Sequence, residues 1–313
     1  MTTNDVKRIA ENIRGSIESV IVGKSLEIDL ILAALFAGGH VLLDDVPGTG
    51  KTMLAKTLAR SIDCQFGRIQ FTPDLLPSDL TGINYYNQKE GEFTFRKGAL
   101  FTNILLADEI NRATPRTQSG LLESMEERQI TVDGQTHFLA APYFVIATQN
   151  PVETQGTYPL PEAQLDRFLI QLSLGYPTAE ESTDVLRRFL GGNPFEEIKP
   201  VCTADELLKI QEAVKSVFVH EELLSYIVTL TEKTRTADGV VLGVSTRGAI
   251  VLTNLCRAYA ALCGREFVMP DDVQFLLPYA YKHRIISRMG SGHTAELVRN
   301  IISETTVPSE TWK

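Results

Sequence analysis

Three short apolar runs, Val41-Leu42-Leu43, Ile104-Leu105-Leu106-Ala107 and Phe144-Val145-Ile146-Ala147, punctuate the first half of the chain. Runs this short and without polar alternation predict parallel strands covered on both faces. Between them, Met53 to Ile62, Thr117 to Arg128 and Glu162 to Phe168 space their apolar residues as amphipathic helices. The alternation predicts an α/β fold, a doubly wound parallel sheet sandwiched by helices. Two segments depart from it. Tyr85 to Phe95 and Gln129 to Phe138 alternate polar and apolar residues around Lys89-Glu90-Gly91 and Asp133-Gly134, which is hairpin chemistry. The pattern leaves open whether they are ordinary surface hairpins or project into a channel or onto a partner.

Beyond Gly175 to Thr178 the texture becomes helical throughout: Ala179–Leu190, Thr203–Val217, Glu221–Thr234, Ser245–Cys263, Pro270–His283 and His293–Ser303. We therefore expect two domains, an α/β core with an N-terminal helix over 1–176 and an all-α lid over 177–313. At about 150 residues per domain, 313 residues accommodate this division.

A hydrophobic content of 43% with 22% charged residues is that of an ordinary globular chain, which excludes a disordered or fibrous protein. The formal charge of -9 gives no overall electrostatic footprint for nucleic acid or anionic lipid. The longest nearly uncharged apolar stretch, Leu30 to Leu43, contains Gly38, Gly39 and His40 and falls short of the roughly 20 residues of a membrane span, so no membrane insertion is expected. The N-terminus, with Asp5, Lys7, Arg8, Glu11 and Arg14, does not read as a secretory signal, and the expected location is cytoplasmic. Cys64, Cys202, Cys256 and Cys263 are too scattered for zinc pairs and read as reduced thiols.

The strongest chemical signal is Val46-Pro47-Gly48-Thr49-Gly50-Lys51-Thr52, set between the strand Val41–Leu43 and the helix starting near Met53. Small residues let backbone N–H groups turn inward around phosphates, the helix N-terminus adds partial positive charge, and Lys51 supplies a point charge. Thr52 would place its hydroxyl on Mg²⁺. The usual pattern carries glycine at position 45, where this chain has Asp45. Its side chain must point away from the phosphates to avoid like-charge repulsion.

Downstream, Ile104–Ala107 runs straight into Asp108-Glu109. That placement brings Asp108 to the Mg²⁺ shell and makes Glu109 the natural base for a water in line with the γ-phosphate. The strand Tyr143–Ala147 ends in Thr148-Gln149-Asn150-Pro151, so Asn150 is available to orient that water. Asp166-Arg167-Phe168 and Ser245-Thr246-Arg247 follow; either arginine is, by itself, equally readable as a surface cation.

Taken together, these residues resemble an AAA+ ATPase of the MoxR family. The resemblance covers most of the chain and rests on Val46–Thr52 as Walker A and Leu105–Glu109 as Walker B, with the run Ala107-Asp108-Glu109-Ile110-Asn111-Arg112-Ala113. It rests also on Ala147–Pro151 and on the long string Gly156 to Phe168. The resemblance implies Asn150 as sensor 1, Arg167 as an arginine finger reaching a neighbour's nucleotide, and Arg247 as sensor 2. Arg112 and Arg116 stand as rivals to Arg167. It further implies that Val22 and Gly23 line the adenine pocket, that the hairpins are the helix-2 insert and the pre-sensor-1 hairpin, and that subunits form a ring, a hexamer. The implied function is Mg²⁺-dependent ATP hydrolysis driving chaperone-like remodelling of protein complexes, including metal-cofactor insertion, often with a partner bearing a von Willebrand factor A domain.

Two other classes compete. A nucleic-acid motor fits the same core, and the first hairpin offers Tyr85, Tyr86, Lys89, Arg96 and Lys97, but the second carries Glu127, Arg128, Asp133 and His137, and the net charge argues against it. A small-molecule kinase would also use the phosphate loop, yet has no need of Asn150, Arg167 and Arg247 in this order.

Overall fold

Thr2 starts the first helix. Its hydroxyl accepts from the Asp5 N–H at 3.2 Å while the Asp5 carboxylate accepts from the Thr2 N–H at 3.0 Å, a reciprocal cap that opens α1 (Thr3–Glu18). The computed structural model describes residues 1–151, 156–288 and 290–308, so Met289 and the last five positions of the expected lid lie outside the described residues. In α2 (Ser25–Phe36) every residue from Leu30 to Phe36 is buried, the signature of a helix enclosed on all sides. The chain continues through β1 (Val41–Asp44), α3 (Lys51–Ser61), β2 (Phe66–Gln70), α4 (Pro77–Thr81), β3 (Gly82–Asn87), β4 (Glu92–Lys97) and β5 (Ile104–Asp108). Next come α5 (Pro115–Glu127), β6 (Gln129–Val132), β7 (Gln135–Phe138), β8 (Phe144–Gln149), α6 (Glu162–Leu165) and β9 (Ile170–Leu172).

Among the described residues, β2, β5, β8, β1 and β9 form a parallel sheet in that order. Along β1, Val41 lies level with Ile146 and Ile170, and Asp44 with Gln149. The sheet therefore has two distinct edges. The C-terminal ends of β1, β5 and β8 form one; Gly38–His40 and Asp166–Leu169 lie at the other, where the Leu169 N–H donates to the His40 carbonyl at 2.8 Å. Side chains alternate along β1: Val41 and Leu43 enter a core shared with α1, α2 and the later helices, whereas Leu42 packs with Leu121, Leu122 and Met125 of α5.

The apolar pattern anticipates three of these strands and omits β2 and β9. The helix expected over Glu162–Phe168 stops at Leu165, because Phe168 is needed in the core beneath the sheet and the chain must straighten into β9. Both expected hairpins are present. The β6–β7 turn uses Asp133 and Gly134 at φ 50° and 78°, and the two hairpins pack together through Phe95 and His137, stacked at 3.9 Å.

The remainder comprises α7 (Ala179–Leu190), α8 (Ala204–Val214), α9 (Glu221–Thr236), α10 (Thr246–Leu262), α11 (Pro270–Tyr281) and α12 (Ser291–Ser303). It is not wholly helical: β10 (Val240–Leu242) and β11 (Ile286–Ser287) pair antiparallel, a ribbon too short to register as a pattern. All four cysteines are free thiols. No helix among the described residues is long and apolar enough to cross a membrane.

Candidate nucleotide site

The loop between β1 and α3 turns on Gly48 and Gly50, both at φ 88°, where a Cβ would meet nothing within 4 Å. The requirement for glycine is conformational, and the open space beside each lets a ligand approach the backbone. Lys51 begins α3 and folds its ammonium back into the loop, donating to the carbonyls of Asp45 at 3.1 Å and Val46 at 3.2 Å. Thr52 and Met53 follow in the first turn of α3, at its positive pole. A glycine-lined loop, an amine and a helix N-terminus in this arrangement fit a polyphosphate.

Asp45 is buried and turned away from the loop, as like-charge repulsion requires. Its carboxylate accepts from the N–H groups of Leu174 at 2.6 Å and Gly175 at 3.1 Å and from the Ser173 hydroxyl at 2.8 Å. The acid at the usual glycine position thereby ties the loop to the segment that leaves β9.

At the end of β5, Asp108 and Glu109 diverge. Glu109 is left-handed at φ 55°, a conformation that costs a non-glycine residue about 1–3 kcal/mol. The turn carries its carboxylate to Gln70, whose side-chain N–H donates at 2.7 Å, and to Arg112 at 2.9 Å. Asp108 accepts from the Thr148 hydroxyl at 2.7 Å and pairs with Arg68 at 2.7 Å. Thr148 in turn accepts from the Glu109 N–H at 2.8 Å, so one hydroxyl on β8 orients both acids. Asn150 is buried just past β8, beside the loop, since the Asp45 N–H donates to the Gln149 carbonyl at 3.1 Å. Gly23, at φ 72°, faces the Glu181 carboxylate of α7, which occupies the space a Cβ would fill; this brings Val22 and Gly23 against the start of α7.

Arg167 and Arg247 are elsewhere. Arg167 donates to the Leu122 carbonyl at 2.9 Å and pairs with Glu126; Arg247 pairs with the same Glu126 at 2.9 Å and lies 3.8 Å from Asp166. Behind them the buried Arg284 donates to Asp166 Oδ1 at 2.6 Å and to the Phe168 carbonyl at 2.6 Å. This cluster occupies the edge of the sheet opposite the phosphate loop. β1 alone, four residues long, separates the two by about 13 Å at ~3.3 Å per residue, beyond the reach of an arginine side chain. Of the rivals, Arg112 holds its own chain's Glu109, and Arg116 is exposed in the first turn of α5. Sequence reasoning misses Arg68, Gln70, Thr148 and Glu126. Recognising β2 as a strand would have put Arg68 and Gln70 beside the acidic pair.

A phosphate loop at the end of an interior parallel strand, an acidic pair at the end of a nearby strand and a helical lid define a P-loop ATPase of the AAA class. Comparison with known proteins agrees. The ATPase family associated with various cellular activities (AAA) matches residues 40–170, and the AAA lid domain matches 232–304. A Bacillus subtilis protein, uncharacterized protein YeaC, is 52% identical over 296 residues, spanning 93% of this chain and 92% of its own. The Mycobacterium tuberculosis protein named chaperone MoxR1 is 40% identical over 279 residues, spanning 86% of this chain and 74% of its own. A solved structure of a putative ATPase from Cytophaga hutchinsonii is 36% identical and superposes with a TM-score of 0.89 over 98% of this chain and 97% of its own. The chain belongs to the MoxR family of AAA+ ATPases, and its activity is ATP hydrolysis.

Proposed function

We propose that the protein is one subunit of a ring, a hexamer, whose hydrolysis of ATP requires a neighbour and whose turnover remodels a protein client. The observation that carries this reading is the separation of the phosphate loop from Arg167 and Arg247 by the length of β1. Arginines stationed at that edge serve another copy's nucleotide rather than their own, and a cation supplied in trans is worth a large factor in phosphoryl transfer. Within one chain, Lys51 and the loop amides hold the phosphates, Glu109 takes the proton of the attacking water, and Asn150 orients that water. Val22 and Gly23 border the adenine. Thr52 and Asp108 are the residues that would hold Mg²⁺, which when bound would neutralise phosphate charge. We retain 1–176 as the core and 177–313 as the lid.

The chaperone-like role is favoured by the name of the Mycobacterium tuberculosis relative and by the hairpins. Their exposed Tyr86, Phe93 and Phe138 suit a protein client better than a phosphate backbone. Maturation of enzyme complexes, including metal insertion, through an adaptor bearing a von Willebrand factor A domain is the specific form proposed.

The test is the ATPase rate per subunit against protein concentration, with mass measured alongside and with DNA absent or added. A rate that rises with assembly and ignores DNA supports the remodeller; a flat rate stimulated by DNA replaces it with a nucleic-acid motor. In mixtures, Arg167→Ala subunits, which bind ATP but hydrolyse it poorly, should regain turnover from Glu109→Gln subunits. Absence of rescue would refute action in trans.

A further inference from the structure

Glu126 and Arg247 each sit at the wrong pole of their own helix. Glu126 is the penultimate residue of α5, where backbone carbonyls already concentrate negative charge, and Arg247 is the second residue of α10, where the N–H groups concentrate positive charge. Each placement is unfavourable for the helix that carries it. Each is favourable for the other: the Glu126 carboxylate meets the Arg247 guanidinium at 2.9 Å across 121 positions of sequence. The second oxygen of the same carboxylate pairs with Arg167. One acid, on a core helix, therefore gathers one cation from the sheet edge and one from the lid beside a cleft of about 220 Å³. The side chains remain partly exposed, at 34% for Glu126, 30% for Arg167 and 48% for Arg247, so these contacts are exchangeable rather than locked.

From this geometry we propose that Glu126 is a positioning residue for hydrolysis, a displaceable counter-ion that holds Arg167 and Arg247 together and folded back on their own subunit until a nucleotide phosphate of the adjacent copy takes its place. The proposal rests on the trans reading above. It adds that the two arginines engage as a pair, since one carboxylate releases both. It adds also that their retention opposes engagement, since Glu126 and the Leu122 carbonyl compete with the incoming phosphate for Arg167.

The experiment isolates the donor of the arginines. Subunits carrying Arg167→Ala report turnover but supply no arginine finger. They are mixed with donors carrying Glu109→Gln, which supply arginines but do not hydrolyse, and turnover is followed as donor concentration rises. A donor carrying both Glu109→Gln and Glu126→Gln should reach half-maximal rescue at roughly two- to fivefold lower concentration, the loss of partly exposed ion pairs, with the plateau rate unchanged. Glu126→Ala in the donor should shift the midpoint the same way, and Glu126→Asp, which keeps the charge, should stay near the Glu109→Gln donor. A generally destabilised donor would instead lower the plateau. If removing the Glu126 charge leaves the midpoint in place or raises it, the counter-ion role is wrong while action in trans stands. If the Glu109→Gln donor gives no rescue at any concentration, the trans reading fails and this proposal falls with it.

Discussion

Asp45 offers the most direct check on how the phosphate loop is held. The substitution Asp45→Gly restores the residue the loop pattern usually carries and removes three hydrogen bonds to a carboxylate, from Leu174, Gly175 and Ser173. Bonds to charged groups contribute about 1.5–3 kcal/mol each. Ser173 is exposed and Gly175 half-buried, so both recover part of that from water, whereas the buried Leu174 N–H does not. About 3 kcal/mol for Leu174 and about 1 kcal/mol for the other two together, with ~0.5–1 kcal/mol for glycine's backbone freedom, give a loss of about 4–5 kcal/mol. At ~2.1 cal/mol/K per residue over 313 residues, that lowers the melting temperature by about 6–8 °C. Asp45→Asn keeps one accepting oxygen and should lose about 3 kcal/mol. Unfolding in denaturant, followed by circular dichroism, measures the stability, and titration with a fluorescent ATP analogue measures the loop, whose affinity should fall with it. An Asp45→Gly protein within 1 kcal/mol of the parent, or one that binds nucleotide more tightly, would refute the reasoning.

Two further outcomes are expected. Gln70 engages the Glu109 oxygen that a base would use, so Gln70→Ala should raise basal hydrolysis about two- to fivefold, the weight of one net hydrogen bond, at unchanged ATP affinity; a rate that is equal or lower counts against a restraining role. His40 accepts from the Val145 N–H through Nδ1 and donates from Nε2 to the Met125 carbonyl, both at 3.0 Å, and burial pushes its pKa down from 6.5 to about 4. The unfolded chain therefore takes up that proton first, so the stabilisation is complete above pH 6.5 and about 3 kcal/mol of it is lost as the pH falls to 4. Denaturant midpoints between pH 7 and 4.5 should fall more steeply for the parent than for His40→Gln.

What the sequence conceals has physical causes. Strands β1, β5 and β8 are legible because they are buried on both faces and apolar up to their polar C-terminal ends. β2 is not, because Arg68 and Gln70 are committed to Asp108 and Glu109; the side chains that hold the acidic pair interrupt the apolar signal. β9 has three residues, too few for any period, and α2 is apolar on every face from Leu30 to Phe36 and so shows no amphipathic rhythm. The loop and the acidic pair are legible because each is local, a few adjacent residues at the end of one strand. The arginine cluster is not local. Glu126 and Arg247 meet through the packing of lid on core, with Arg284 buried against Asp166 and Phe168, and no short motif encodes that meeting.

A single apolar interior runs from Ile13 and Ile31 of the first two helices, past Val41 and Leu43 of the sheet, to Leu255, Leu276 and Val298 of the lid. To hinge the lid against the sheet would tear this interior open, at about 25 cal/mol for each Å² of apolar surface wetted. Mechanically, the chain is stiff, closer to a single block than to a clamshell. A displacement begun at the phosphate loop is therefore carried by the body as a whole rather than absorbed at a hinge.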